Sequence, residues 1–160
     1  MQHPDKSFFV KICAFVMFAC TAVASANTIN GKVVGVSDGD TITVLDGSKT
    51  QHKIRLSGID APEKAQPFGQ VSKEHLSALV FGKQVTVETD KTDKYGRNIG
   101  RVLVNGTDAN LAQIKAGLAW HYKEYAKEQP AADRASYASA ETQARASVQG
   151  LWRDPRPMAP

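Results

Sequence analysis

The stretch from Gln51 to Glu63 limits the fold more than any other. It begins in alternation, with apolar Ile54 and Leu56 set between Lys53, Arg55 and Ser57, the period of a strand with one covered face. Ser57-Gly58 then predicts a bulge or sharp bend, a device that re-aims the side chains beyond it. Asp60, Ala61, Pro62 and Glu63 follow at once, and the proline forces a further bend. Just upstream, Asp38-Gly39-Asp40-Thr41 is a turn signal that feeds an apolar run of Ile42, Val44 and Leu45. If that run pairs with the strand carrying Arg55, Asp40 and Asp60 meet at one end of a sheet. Two carboxylates for a cation, a further carboxylate and an arginine are equipment for attacking a phosphate ester.

Residues 1–26 are expected to lie outside the fold. Lys6 and Lys11 flank a short polar head, and the apolar run from Ile12 to Ala24 is too short to span a membrane comfortably. Ala24-Ser25-Ala26 supplies the small residues of a signal-peptidase site, so a signal peptide is expected over 1–26 and a mature chain from Asn27. A retained anchor is the competing reading. A lipoprotein site at Cys20 is disfavoured by the bulk of Met17-Phe18-Ala19. Both cysteines, Cys13 and Cys20, fall in this leader, which leaves the mature chain no disulfide and no thiolate metal site. Export to the periplasm or the medium is thus argued from the leader alone, and no membrane attachment is expected of the mature form.

About 134 residues remain, the size of one domain with one core. Setting aside Asp5, Lys6 and Lys11 leaves 18 basic and 15 acidic residues, a mild excess that does not by itself select a partner. Placement says more, because Lys53, Arg55, Lys94, Arg97, Arg101 and Lys123 fall near the motifs. Strands are predicted from Thr28 to Val36, Thr41 to Leu45, Gln51 to Ile59, Gln84 to Glu88 and Ile99 to Val104, the last closed by the tight-turn pair Asn105-Gly106. A helix is predicted from Gly69 to Val80, with Val71, Leu76, Leu79 and Val80 inward and Gly82 as its stop. Asp108 is placed to cap a second helix with Leu111, Ile114 and Leu118 on one stripe. A third follows Pro130, with Tyr137, Ala140, Ala144 and Val148 on a narrow face and Gly150 as its end. Five short strands with about three helices imply a small closed barrel of the OB type over residues 27–153. Residues 154–160, with three prolines, are expected to form a disordered tail.

Asp-Gly-Asp-Thr, Arg55-Leu56-Ser57-Gly58-Ile59-Asp60-Ala61-Pro62-Glu63 and Thr92-Asp93-Lys94-Tyr95-Gly96-Arg97 together resemble the thermonuclease family of staphylococcal-nuclease-like domains. The resemblance runs on through Ala109-Asn110-Leu111 and Ala116-Gly117-Leu118-Ala119 to Gly150-Leu151-Trp152, nearly the whole mature chain. Asp-Gly-Asp alone marks many turns and calcium loops. Three motifs in order are far more specific.

The resemblance implies an OB-fold, calcium-dependent phosphodiesterase that cuts DNA and RNA, single-stranded or flexible, as a monomer. It implies a metal held by Asp40, Asp60 and the backbone carbonyl of Ala61. Such oxygen donors suit calcium, and the donor set does not choose against magnesium or manganese. It implies catalytic roles for Arg55, Glu63 and Arg97: Glu63 to accept a proton from the attacking water, the arginines to grip the phosphate. Lys94 and Tyr95 become candidate phosphate contacts, and Trp120 and Tyr122 candidate stacking surfaces. Tyr122 matches a family tyrosine; Trp120 departs from one. The same aromatic cluster reads equally as core or rim. Asp38 reads as a turn residue, His52 and His75 as surface histidines, and His121 receives no role. The alternative function is a non-catalytic OB-fold module that only binds nucleic acid, against which stands the joint presence of Asp40, Arg55, Asp60, Glu63 and Arg97.

Overall fold

A computed structural model describes residues 27–160, apart from the side chain of Asp90. The leader expected over residues 1–26 lies outside the described residues. Strands β1 (Asn27–Val36), β2 (Thr41–Asp46) and β3 (Gln51–Leu56) form an antiparallel meander. After the short β4 (Ile59–Asp60) comes helix α1 (Gly69–Val80), then β5 (Gln84–Thr92) and β6 (Asn98–Val104) as a hairpin. The sheet order is β3-β2-β1-β5-β6, and a parallel pairing of β3 with β6, Ile54 opposite Asn98 and Leu56 opposite Gly100, closes it into a five-stranded barrel. Closure leaves none of the five strands as a free edge along its whole length. Bulges in β1 between Val33 and Gly35, and in β5 between Thr89 and Lys91, supply the local bending.

The second half packs on this barrel. β7 (Thr107–Asp108) leads into α2 (Ala109–Lys115), where the Asp108 carboxylate accepts from the Leu111 amide at 2.9 Å, the expected cap. Short β8 (Trp120–His121) pairs antiparallel with β4. A 3-10 turn (Lys123–Glu128), α3 (Ala131–Ala146) and a second 3-10 turn (Gly150–Arg153) complete the order. The core joins Val33, Ile42, Val44, Ile54, Leu56, Val87 and Val102 of the barrel to Leu76 and Val80 of α1, Ile114 of α2 and Tyr137 of α3. Each such side chain contributes about 1.5–3 kcal/mol by leaving water.

Several expectations are corrected. The run from Gln51 to Ile59 is two strands, because Ser57-Gly58 forms a full turn with Gly58 at φ +71°. β5 continues to Thr92, since the bulge lets it go on pairing with β6. Val71 is 50 % exposed, and Ser72 takes its inward place, donating its hydroxyl to the Leu118 carbonyl at 2.7 Å. Leu118 is buried but lies beyond α2. Val148 is exposed and adopts φ +52°, so α3 ends at Ala146, and Gly150 opens the last 3-10 turn instead of stopping the helix. His52 is half-buried against Asp46 at 2.7 Å, and His75 is bonded to Gln113. Residues 154–160 contain no helix or strand. Among the described residues no helix is long and apolar enough to cross a membrane.

Candidate active site

The turn between β1 and β2 aims Asp40 inward. The Asp38 carboxylate accepts from the Asp40 amide at 3.1 Å, the turn role expected of Asp38. From beneath, the buried Gln113 donates to the Gly39 carbonyl at 2.7 Å and to the Ser72 carbonyl at 3.1 Å. Asp40 is thereby 6 % exposed, and its Oδ2 accepts from the Ala61 amide at 2.8 Å. This bond joins the first motif to the second across 21 residues of chain.

The Ser57-Gly58 turn does the corresponding work for Asp60. Asn110 donates to the Ser57 carbonyl at 2.9 Å while accepting from the Val102 amide at 3.1 Å, and Tyr122 donates its amide to the Gly58 carbonyl at 2.9 Å. The chain beyond the turn is held by β8, Ile59 opposite His121 and Asp60 opposite Trp120. Asp60 then faces back toward Arg55. The Arg55 guanidinium spans both acids: Nη1 lies 2.7 Å from Asp40 Oδ2, and Nη2 lies 2.6 Å from Asp60 Oδ1. Nη1 also donates to the Ile59 carbonyl at 3.1 Å.

The electrostatics of this clasp are unbalanced. Burial pushes the Asp40 carboxyl up to about 7, with Arg55 pulling it down and Asp38 adding to the rise. Burial likewise raises Asp60 against the pull of Arg55, and the charge of nearby Glu63 raises it further. One guanidinium therefore does not satisfy two carboxylates withdrawn from water. A second cation would. The donors present are hard oxygens, and among the described residues no hydrogen bond ends on the Ala61 carbonyl. That set fits a calcium-like ion if water completes the shell. Among the described residues no group of three or more acidic, histidine or cysteine side chains is placed to hold a metal, so such an ion would find two carboxylates here.

Glu63 lies just past Pro62, exposed, with its amide donating to Gln66 Oε1 at 2.7 Å. Arg97 closes the β5–β6 hairpin. Asp93 accepts there from the amides of Tyr95 and Arg97, both at 2.9 Å, and its Oδ2 receives Arg97 Nε at 2.7 Å. Among the described residues the terminal nitrogens of Arg97 have no hydrogen-bond partner. Burial opposes ionisation of Asp93, but these bonds from Arg97 and Tyr95 prevail and hold its carboxyl below the usual range.

Arg55 and Arg97 line one cleft of about 760 Å³ together with Lys94, Tyr95 and Tyr122. Tyr95 is 72 % exposed, with Lys94 Nζ 5.1 Å and the Arg97 guanidinium 5.5 Å from its ring centre. Trp120 does not line this cleft. It packs edge-on against Trp152, ring centres 6.1 Å apart. Tyr122 faces Tyr125 at 5.2 Å instead. Asn110 and Gln113, which pin the two site turns, were not singled out by the sequence reading, nor was Gln129 of the cleft wall; the motif Ala109-Asn110-Leu111 carried the one available signal.

A closed OB barrel whose cleft is lined by Arg55 and Arg97, with Arg55 reaching back to the paired carboxylates Asp40 and Asp60, carries groups suited to phosphate esters. Asp40, Asp60, Ala61 and Glu63 do not themselves line that cleft. The chain belongs to the staphylococcal nuclease family: the model of that family, described as staphylococcal nuclease homologue, matches residues 53–154. A Haemophilus influenzae protein named as an uncharacterized endonuclease is 38 % identical over 145 residues, 91 % of this chain and 78 % of its own length. A protein with the same name from Escherichia coli O157:H7 is 38 % identical over 151 residues, 94 % of both chains. A Shigella flexneri protein named micrococcal nuclease is 35 % identical over 158 residues, 93 % of this chain and 87 % of its own.

Proposed function

We propose that this chain is an exported, calcium-dependent nuclease that hydrolyses phosphodiester bonds of DNA, RNA or both with little sequence preference. That it is a hydrolase of the nuclease class follows from its family. The observation that carries the finer reading is the Arg55 fork laid across Asp40 and Asp60, with Glu63 exposed beside them. Asp40, Asp60 and the Ala61 carbonyl would hold the metal ion. When bound, calcium supplies Lewis-acid stabilisation of a phosphate oxygen and a lowered pKa for nearby water.

The remaining chemistry belongs to the chain. Arg55 and Arg97 bind the phosphate from two sides of the cleft, each with planar donors that stay ionised. Their charge answers the negative charge that builds on the non-bridging oxygens as water adds. Glu63, exposed and with no described ion pair, accepts the proton of that water. Lys94 and Tyr95 border the phosphate path, and Tyr122 offers a face on which a base can stack.

Glu63→Gln separates a nuclease from a binding module. Degradation of single-stranded DNA and of RNA should fall by about 100-fold or more, with binding retained. Unchanged turnover in the folded variant would remove Glu63 as the base. Wild-type binding without degradation would favour the non-catalytic module. Export is part of the same proposal, and recovery outside the cytoplasm of a chain beginning at Asn27 would support it; a cytoplasmic chain that keeps residues 1–26 would count against it.

A further inference from the structure

The wall of the cleft beside Arg55 contains an amide that the reaction as derived above does not use. Gln129 follows the 3-10 turn and precedes Pro130, and it lines the same cleft as Arg55, Arg97 and Tyr122. Its side-chain oxygen is held by His121: Nε2 of the imidazole lies 2.9 Å from Gln129 Oε1. His121 is 4 % exposed, and its other ring nitrogen, Nδ1, is buried with no partner among the described residues. That arrangement selects one tautomer. A proton on Nε2 is donated to Gln129 and leaves only a bare lone pair at Nδ1. A proton on Nδ1 would bury an unanswered N–H, the rarer defect.

With Oε1 committed to His121, the amide nitrogen of Gln129 is the end turned away from the imidazole. It lies directly against the α-carbon of Gly58, in the space a side chain at position 58 would need. Gly58 is the hinge of the turn that aims Asp60, and the next residue, Ile59, supplies the carbonyl that holds Arg55 at 3.1 Å. Among the described residues no acceptor is found for Gln129 Nε2. A half-buried donor is thus held in place by a buried histidine, in the wall of the cleft that Arg55 also lines.

We propose that Gln129 is a further substrate-binding residue, its amide donating to a phosphodiester oxygen of the nucleic-acid backbone, and that His121 is the positioning residue that fixes its orientation. The inference rests on the nuclease reading. It gives the buried His121 a task, and it gives a reason for glycine at 58 beyond the positive φ, since any larger residue would push the amide out of place.

Gln129→Met keeps the length of the side chain and removes the donor. On single-stranded DNA the KM should rise about tenfold, the scale of one lost hydrogen bond to a charged acceptor, with kcat within about twofold of wild type. The same rise should appear on an abasic sugar-phosphate oligonucleotide, because the contact is to the backbone. His121→Leu should raise KM in the same direction, and adding it to Gln129→Met should change KM little further, since one acts through the other. An unchanged KM for Gln129→Met while the wild type degrades DNA normally would overturn the proposal. So would an effect that vanishes on the abasic substrate, or a loss of kcat that merely tracks a lower thermal midpoint. Failure of the wild type itself to degrade DNA would instead sink the nuclease reading.

Discussion

An aspartate touching a guanidinium normally ionises more readily than in water, yet Asp40 does the reverse, rising to about 7. Burial at the foot of the β1–β2 turn outweighs the pull of Arg55. The sign of the consequence follows from linkage. The folded state without metal holds a proton that the unfolded chain releases near 3.9, so this contribution to stability is full below about 4 and is lost as pH rises through about 7. On the proposed reading, calcium bound at Asp40 would have to displace that proton. Its affinity should therefore be clearly lower at about pH 6 than at about pH 8, with protons released on binding at the lower pH. Calorimetric titration in buffers of different ionisation heat measures both, and equal affinity at the two pH values would contradict the reading. Asp40→Asn, which can still accept from the Ala61 amide, should keep the fold, weaken calcium binding and lose the pH dependence. The approach of Asp40 to Asp60 was legible in sequence because a turn and a bend flank paired strands. The occupation of the gap by Arg55 was not, since strand alternation gives the face of residue 55 and not the reach of its side chain.

The two faces of α1 show at the level of an element what periodicity reads and what it misses. The helix runs from Gly69 to Val80, as predicted, and Leu76 and Val80 are fully buried. Hydrophobicity puts Val71 on the same face, but Ser72 is inside because its hydroxyl donates to the Leu118 carbonyl and accepts from Gln113 Nε2 at 3.1 Å. A small polar residue paired to a buried network is invisible to a hydrophobic pattern. Val71→Ser should accordingly change stability by no more than about 0.5 kcal/mol. Leu76→Ala should cost about 2–5 kcal/mol through the cavity it leaves. Denaturant unfolding of both checks the assignment, and a costly Val71→Ser would reverse it. Val148 fails for a similar reason: the narrow apolar face of α3 ends with Ala144, and the backbone then turns left-handed at 148. Trp120 is a third case, where an aromatic that pairs opposite Asp60 across β4 and β8 turns its ring to Trp152 instead of the cleft.

Across the whole molecule, closure of the barrel turns three separated motifs into one site. The parallel β3–β6 pairing places Arg55 opposite Ile99, two residues beyond Arg97, and the Asp40–Ala61 bond seals the other rim. Strand count and helix count were enough to reach this architecture from sequence, because hairpin turns and apolar runs are local. The polar side chains that fix the two site turns, Asn110 and Gln113, come from the helical half, and their partners are set by packing that no local pattern encodes. The arginines of the cleft are all engaged by carboxylates: Arg55 by Asp40 and Asp60, Arg97 by Asp93, Arg101 by Glu88 and Asp133. On the proposed reading, substrate phosphate would compete with these carboxylates, least at Arg97, where Asp93 holds only Nε, and a metal ion held by Asp40 and Asp60 would relieve the competition at Arg55. Degradation of single-stranded DNA by the purified protein, followed as calcium is added and then stripped with a chelator, tests this directly. The account predicts cleavage that appears with calcium and stops with its removal. Cleavage that persists in chelator, or tight binding with no cleavage at saturating calcium, would contradict it.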